Sequence, residues 1–131
     1  MFRKLLLTLV LGFFAVSVAK ATHIAGGEIY YQCLGGNQYR ITLVVYRDCA
    51  GVSLNNSYTL AVQSPCGNKT VNVSTPGGVE ISQLCNLELP NSTCQGGTLP
   101  GIQQYIYTGT VTLPPCNYWT VSWSAPWRNG A

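Results

Sequence analysis

The sequence is poor in ionisable side chains. Only 8% of its residues are charged, and it contains one histidine, His23. Acid–base and nucleophilic catalysis both need an ionisable group beside the reacting one. The candidates are His23, Glu28 and Asp48, and isolated carboxylates at strand ends are usually solvated. We therefore predict no catalytic residues and no enzyme. The alternative, a small secreted hydrolase, would require a cleft where Glu28 or Asp48 meets His23 or a second carboxylate.

Metal and redox motifs are also missing. Zinc sites use paired ligands about two to four residues apart, whereas the closest cysteines, Cys85 and Cys94, are nine residues apart. The sequence contains no C-x-x-C motif. Calcium needs several clustered oxygen ligands, and Asp48 is an isolated acidic residue. The sequence predicts no metal ion and no cofactor.

Only one long apolar run occurs, over residues 5–19. It follows a basic start at residues 1–4 and precedes Ala19-Lys20-Ala21, which fits the small-x-small pattern of a signal-peptidase site. The run is shorter than the ~20 residues that a transmembrane helix needs. We predict a signal peptide over residues 1–21, a mature chain from Thr22, and no transmembrane segment after cleavage.

Cleavage also removes the basic excess. The full chain carries a formal net charge of +3, and Arg3, Lys4 and Lys20 leave with the signal peptide, so the mature chain is neutral. A nucleic-acid binder needs a clustered basic surface, and no such cluster occurs. We therefore expect a secreted or cell-surface protein that does not bind nucleic acid.

Helix-favouring residues are scarce, whereas Thr, Ser, Asn, Gly, Val and Tyr are abundant. Alternating segments separated by turn residues predict seven short strands, at 28–33, 38–47, 57–63, 69–74, 79–82, 105–113 and 118–124. Residues 34–37 predict a hairpin turn, and 84–103 predict an irregular loop. We predict an all-β domain over 22–131, an antiparallel β-sandwich of immunoglobulin-like architecture. A small barrel is the alternative.

Six cysteines in a secreted domain indicate disulfides; they are Cys33, Cys49, Cys66, Cys85, Cys94 and Cys116. A straight strand would place Cys33 and Cys49 roughly 35 Å apart, while a disulfide needs Cα atoms about 5.5 Å apart, so these two should not pair. A crude register allows either Cys33–Cys66 or Cys49–Cys66. The short loop between Cys85 and Cys94 makes that pair the favoured prediction.

Aromatic residues concentrate near the C-terminus. Trp119, Trp123 and Trp127 share strand parity, and Tyr105 and Tyr107 share a face of the preceding strand. An exposed stripe of this kind could stack on sugars or on a partner protein, whereas a buried one would belong to the core. We favour the core, and we expect Trp127 to be the most exposed because Pro126 interrupts the strand.

The chain resembles a known group of proteins. The stretches ATHIAGGEIYYQCLGGNQYRITLVVYRDCAG, STCQGGTLPGIQQYIYTGTVTLPPCNYWTVSWS and the RNGA after Trp127 look like the start of large exported surface proteins of the Bacteroidetes. Those proteins are associated with gliding motility and type IX secretion. The resemblance implies an adhesin-like protein of repeated β-sandwich modules with a C-terminal sorting domain. It carries over no catalytic or binding residues.

Two features depart from that pattern. Pro126 and Trp127 stand where the family tends to have a pair of cysteines, and the sequence stops at Ala131 where family members continue. The expectation is therefore that this chain is a fragment or a truncated product.

Two function hypotheses follow from the sequence. The favoured one is a non-enzymatic, adhesin-like surface module with an extracellular glycan or protein as partner. The alternative is a carbohydrate-binding module that uses exposed Tyr and Trp side chains. The sequence does not fix the oligomeric state.

Overall fold

The computed structural model describes residues 24–125. The predicted signal peptide, His23, Pro126 and Trp127 lie outside these residues. The described chain forms seven strands: β1 (Ile24–Gly35), β2 (Gln38–Asp48), β3 (Ser57–Ser64), β4 (Gly67–Ser74), β5 (Gly78–Glu80), β6 (Ile102–Thr112) and β7 (Thr120–Ser122). Two short 3-10 turns, Leu89–Asn91 and Thr93–Gln95, lie between β5 and β6.

All strand pairs are antiparallel. The order across the sheet is β1-β2-β6-β4-β3-β7, and β5 pairs with the edge of β6 opposite to β2. The pairing of β4 with β6 consists of one position, Ser74 opposite Thr108. This single bridge divides the sheet into a β1–β2–β6–β5 part and a β4–β3–β7 part, which face each other across one core. The prediction of an antiparallel all-β fold with seven strands is confirmed.

The core follows the alternation of the strands. Inward-facing side chains of both parts of the sheet meet in one cluster, which includes Ile41, Leu43, Val45, Leu60, Val62, Val71, Val73 and Tyr107. These residues sit at every second position of their strands, because successive strand residues point to opposite faces. The period-2 pattern in the sequence therefore locates the core.

Two local features shape the sheet. The β1–β2 turn contains Gly35, Gly36 and Asn37, all with positive φ, a conformation that glycine and asparagine tolerate better than other residues. Gly109 lies in the middle of β6, where an added Cβ atom would collide with the backbone carbonyl of Asn72 on β4. The missing side chain lets β4 cross close to β6 where the two parts of the sheet join.

Two disulfides close opposite ends of the fold, Cys49–Cys94 and Cys66–Cys116. Cys49 follows the C-terminal end of β2, and its N–H donates to the carbonyl of Gly101 at 3.0 Å, which brings the 93–101 loop alongside. Cys66 lies in the β3–β4 turn and Cys116 in the β6–β7 connection, at the end of the sheet where Gln38 pairs with Thr112.

The favoured Cys85–Cys94 pair is wrong. The loop after β5 does not close on itself, because Ser92 donates a hydrogen bond to Glu80 and the N–H of Ile102 donates to the hydroxyl of Ser82. These contacts hold the loop against the start of β6, and Cys94 bonds to Cys49 instead. The Cys33–Cys66 and Cys49–Cys66 alternatives are also wrong, since Cys66 bonds to Cys116. Cys33 and Cys85 are exposed thiols. The inference that Cys33 and Cys49 do not pair is confirmed.

Candidate binding groove

A groove runs along the inward side of β1, between that strand and β7. It consists of two adjoining depressions, which together we name the β1–β7 groove. The first has a volume of about 380 Å³ and is lined by Tyr31, Tyr39, Ile41, Leu113, Asn117, Tyr118, Trp119 and Val121. The second has a volume of about 230 Å³ and is lined by Ile24, Gly27, Glu28, Ile29, Leu43 and Trp123. The first depression has the size of a small ligand site.

The groove exists because β1 turns an apolar face towards a space that none of the strands in residues 24–125 fills. Ile29 pairs with Leu43 and Tyr31 pairs with Ile41, so each pair shares the inward face of the sheet. Leu43 and Ile41 are each 1% exposed, whereas Ile29 is 37% and Tyr31 is 72% exposed. The cover that β3 and β4 give to β2 therefore does not extend over β1.

Aromatic rings line the larger depression from both sides. Tyr31 and Tyr39 make an edge-to-face contact with ring centroids 6.1 Å apart, which is an ordinary aromatic pair geometry. Across the groove, Trp119 donates its indole N–H to the carbonyl of Pro114 at 3.0 Å. Tyr118, next to it, is 61% exposed. This arrangement offers flat apolar surface together with a neighbouring amide side chain, Asn117.

The predicted aromatic stripe lies mostly in the core. Tyr107 is fully buried and Trp123 packs against the same cluster, with the Tyr58 ring between them at centroid distances of 5.2 Å to each. Tyr105 packs against the core from β6. Tyr107 cannot reach a ligand, so its favoured assignment to the core is confirmed and the stacking alternative is wrong for this residue. Of the candidate stacking residues that the structure describes, Trp119 and Trp123 line the groove.

The hydroxyl of Tyr107 is satisfied inside the core. It donates a hydrogen bond to the carbonyl of Asn55 at 2.7 Å, and the N–H of Asn55 donates to the hydroxyl of Tyr58. Burial raises the pKa of Tyr107 above its ordinary value, and the neighbouring Tyr58 and Tyr105 add to the rise. These contacts fix the 52–56 segment over one end of the core.

The carboxylates considered for catalysis are not brought together. Glu28 pairs with Val44 on β2 and lies four positions from Asp48, which at ~3.3 Å per residue is roughly 13 Å. The carboxylate of Asp48 accepts the N–H of Ala50 and so closes the turn after β2. His23 lies outside the described residues.

Glu80 is the carboxylate that sequence reasoning missed. It accepts hydrogen bonds from the hydroxyls of Ser82 and Ser92, both at 2.6 Å, and from the side-chain amide of Gln95 at 2.7 Å. These donors, Ser82 first, lower the pKa of Glu80 below its ordinary value. Ser92 is fully buried. The network ties the irregular 81–101 loop to β5, and nothing in the local sequence pattern signals it.

Over residues 24–125, no group of three or more His, Cys, Asp and Glu side chains is placed to hold a metal ion. Within the same residues, no helix is long and apolar enough to cross a membrane.

Comparison with known proteins found no match. No protein-family model matches the chain, and neither a curated protein nor a solved structure is significantly similar to it.

Proposed function

We propose that this protein is a non-enzymatic, extracellular module of an adhesin-like surface protein and that it binds its partner through the β1–β7 groove. The observation that carries the proposal is the groove itself, in which Tyr31 and Tyr118 expose aromatic surface beside an apolar floor. Large exposed apolar surfaces on a domain usually mark interaction sites.

The two disulfides support the extracellular location. Disulfides form and persist mainly in oxidising compartments, and Cys49–Cys94 and Cys66–Cys116 each join segments far apart in sequence. A signal peptide over residues 1–21 would deliver the chain to such a compartment. The resemblance of the 21–51 and 92–124 stretches to exported Bacteroidetes surface proteins supports the same proposal.

Export is tested by expressing residues 1–131 in a Gram-negative host. We expect a mature protein that starts at Thr22, lies outside the inner membrane, and offers two thiols to maleimide before reduction and six after it. N-terminal sequencing and mass spectrometry measure these properties. An uncleaved chain with six reactive thiols would contradict the proposal.

The binding role is tested with beads coated with the mature protein and applied to the extracellular matrix of the source organism. We expect attachment that falls strongly when Tyr31 and Tyr118 are both changed to serine. The matched control is Leu87→Ser, because Leu87 is 93% exposed and lies in the loop after β5, away from the groove residues. Equal attachment of the double variant and of Leu87→Ser would contradict the role of the groove in binding.

A further inference from the structure

We propose that the β1–β7 groove takes an extended, uncharged peptide segment of a partner protein, which adds a strand beside β1. This inference rests on the proposed function and names the kind of partner. Three observations carry it: the free edge of β1, the lack of charge in the groove, and the presence of a second free edge on β7.

The edge of β1 is unpaired in the described chain. β1 is twelve residues long and pairs with β2 alone. Alternate residues of an edge strand present N–H and C=O groups to solvent, ready for another strand. Natural edge strands usually block such pairing with proline, lysine or a bulge. β1 contains neither proline nor lysine, and its two register shifts, between Ile24 and Gly26 and between Cys33 and Gly35, leave the register regular from Gly26 to Cys33.

The lining of the groove determines the side chains of the occupant. Among the described residues that line the two depressions, Glu28 is the one that carries a charge. The inward positions next to it, Ile29 and Tyr31, are apolar and exposed. A strand beside β1 would place every second side chain over these residues, so those side chains should be apolar and uncharged.

The second free edge indicates a lone segment rather than a folded sheet. Among the described strands, β7 pairs with β3 alone, over Thr120–Ser122. Because every pair along the six-strand path is antiparallel, β1 and β7 run in opposite directions across the groove. An occupant lying between them has both of its edges available. The β1 strand of a second copy is already paired on one side with β2, so it does not meet this condition.

The groove suits a peptide better than a glycan. The larger depression has the exposed aromatic faces and the polar group of a glycan site, but the smaller one adds the aliphatic side chains of Ile24, Ile29 and Leu43, which suit apolar side chains of a peptide. The indole N–H of Trp119 is already used by the carbonyl of Pro114. Main-chain hydrogen bonds to a sheet edge supply affinity in strand addition, with pockets for alternate side chains.

The test uses a synthetic probe and amide hydrogen exchange measured by NMR. The probe is the capped heptapeptide Ser-Val-Thr-Val-Ser-Val-Thr, and its matched control carries N-methyl groups at alternate residues, which remove strand hydrogen bonds but keep the side chains. We expect the probe to slow exchange at alternate β1 amides by at least about tenfold, and the N-methylated peptide to have no such effect.

Two neighbouring substitutions sharpen the test. Ile29→Asp places an unpaired charge on the inward face, and we expect it to weaken probe binding by at least about tenfold. Tyr30→Asp places the same charge at the next position, on the opposite face, and should change binding by less than about twofold. Ile29 and Tyr30 are both exposed, so both variants should fold, which their thermal unfolding verifies.

Four results would overturn the proposal. They are absence of probe binding, equal binding of the N-methylated peptide, binding of cellohexaose in the groove without protection of β1 amides, and a stable dimer of the free protein with protected β1 amides. None of them bears on export or on thiol reactivity. Failure of the peptide proposal is therefore distinguishable from failure of the proposed function, which the maleimide and bead experiments measure.

Discussion

β1 and β2 are paired over nearly their whole lengths, yet inward side chains of β2 are buried while those paired with them on β1 are exposed. Ile41 and Leu43 on β2 are buried, whereas their partners Tyr31 and Ile29 on β1 are exposed. Both strands obey the same alternation, so hydrogen bonding and hydrophobic pattern cannot account for the difference. It comes from what lies across the core, because β3 and β4 cover β2 and no described strand covers β1. Burial of these inward side chains is set by the opposite layer.

The ends of the fold contrast with its open side in the same way. Each end is closed by a disulfide, while the side between β1 and β7 has no covalent or strand closure in residues 24–125. Stability should therefore reside in the ends and in the β2–β3–β4–β6 core. The residues that line the open side should be free to serve binding.

The largest effect is expected at the disulfides. Changing Cys49 and Cys94 together to alanine should lower the free energy of unfolding by about 4 kcal/mol, because the bond closes a loop with a sequence separation of 45 residues. Changing Cys33 and Cys85 together to serine should alter it by less than about 0.5 kcal/mol. Urea unfolding measures both. A destabilisation by the second variant comparable to that by the first would contradict the assignment of the pairs.

The comparison between β1 and β2 is tested directly by a matched pair of truncations. Leu43→Ala should cost about 3 kcal/mol, because it opens a cavity in the packed core. Ile29→Ala, at the paired position on β1, should cost less than about 1 kcal/mol, since Ile29 remains partly in water. Urea unfolding of the two variants gives both values. Similar costs would show that β1 is covered in solution.

A smaller effect is expected at the hydroxyl of Tyr107. Tyr107→Phe removes the donor to the carbonyl of Asn55 and should lower stability by about 1 kcal/mol. Tyr118→Phe removes an exposed hydroxyl and should have no measurable effect on stability. Thermal unfolding near pH 7 compares the two. Equal melting temperatures would show that the hydrogen bond adds nothing to the anchoring of the 52–56 segment.

The smallest effect is expected in the loss of stability at acid pH. The pKa of Glu80 is lowered from 4.5 in the folded protein by its three hydrogen bonds, so its stabilisation is present above pH 4.5 and is lost as the pH falls through the folded pKa. The wild-type protein should therefore lose more stability between pH 6 and pH 3 than Glu80→Gln does. Thermal unfolding at both pH values measures the difference. An identical loss of stability in the two proteins would show that protonation of Glu80 does not contribute to destabilisation in acid.

The sequence predicted the strands well because the information is local. Alternation and the Gly-Gly-Asn turn place β1 and β2 within a few residues, and the spacing of Tyr105 and Tyr107 puts them on one face of β6. The cysteine pairing could not be predicted in this way. It depends on the non-local network at Glu80, which folds the 81–101 loop back against β6 and carries Cys94 to Cys49.

The groove could not be predicted from the sequence either. Tyr31 and Ile29 show the same apolar alternation as core residues. Nothing in the local sequence indicates that the opposite layer does not extend over them. Tyr118 and Asn117 follow Cys116, so their positions depend on a disulfide whose partner the sequence did not reveal. The candidate site therefore depends on how far each part of the sheet extends over the other.

The overlapping disulfides also set how far this module can be stretched. A chain pulled from both ends extends only along its shortest covalent path, and the Cys66–Cys116 bond reduces that path across residues 24–125 from about a hundred residues to about fifty. Under tension the oxidised module should therefore lengthen to about half its reduced contour and then resist as a covalent tether. A reducing environment would convert the same chain into a longer, softer one.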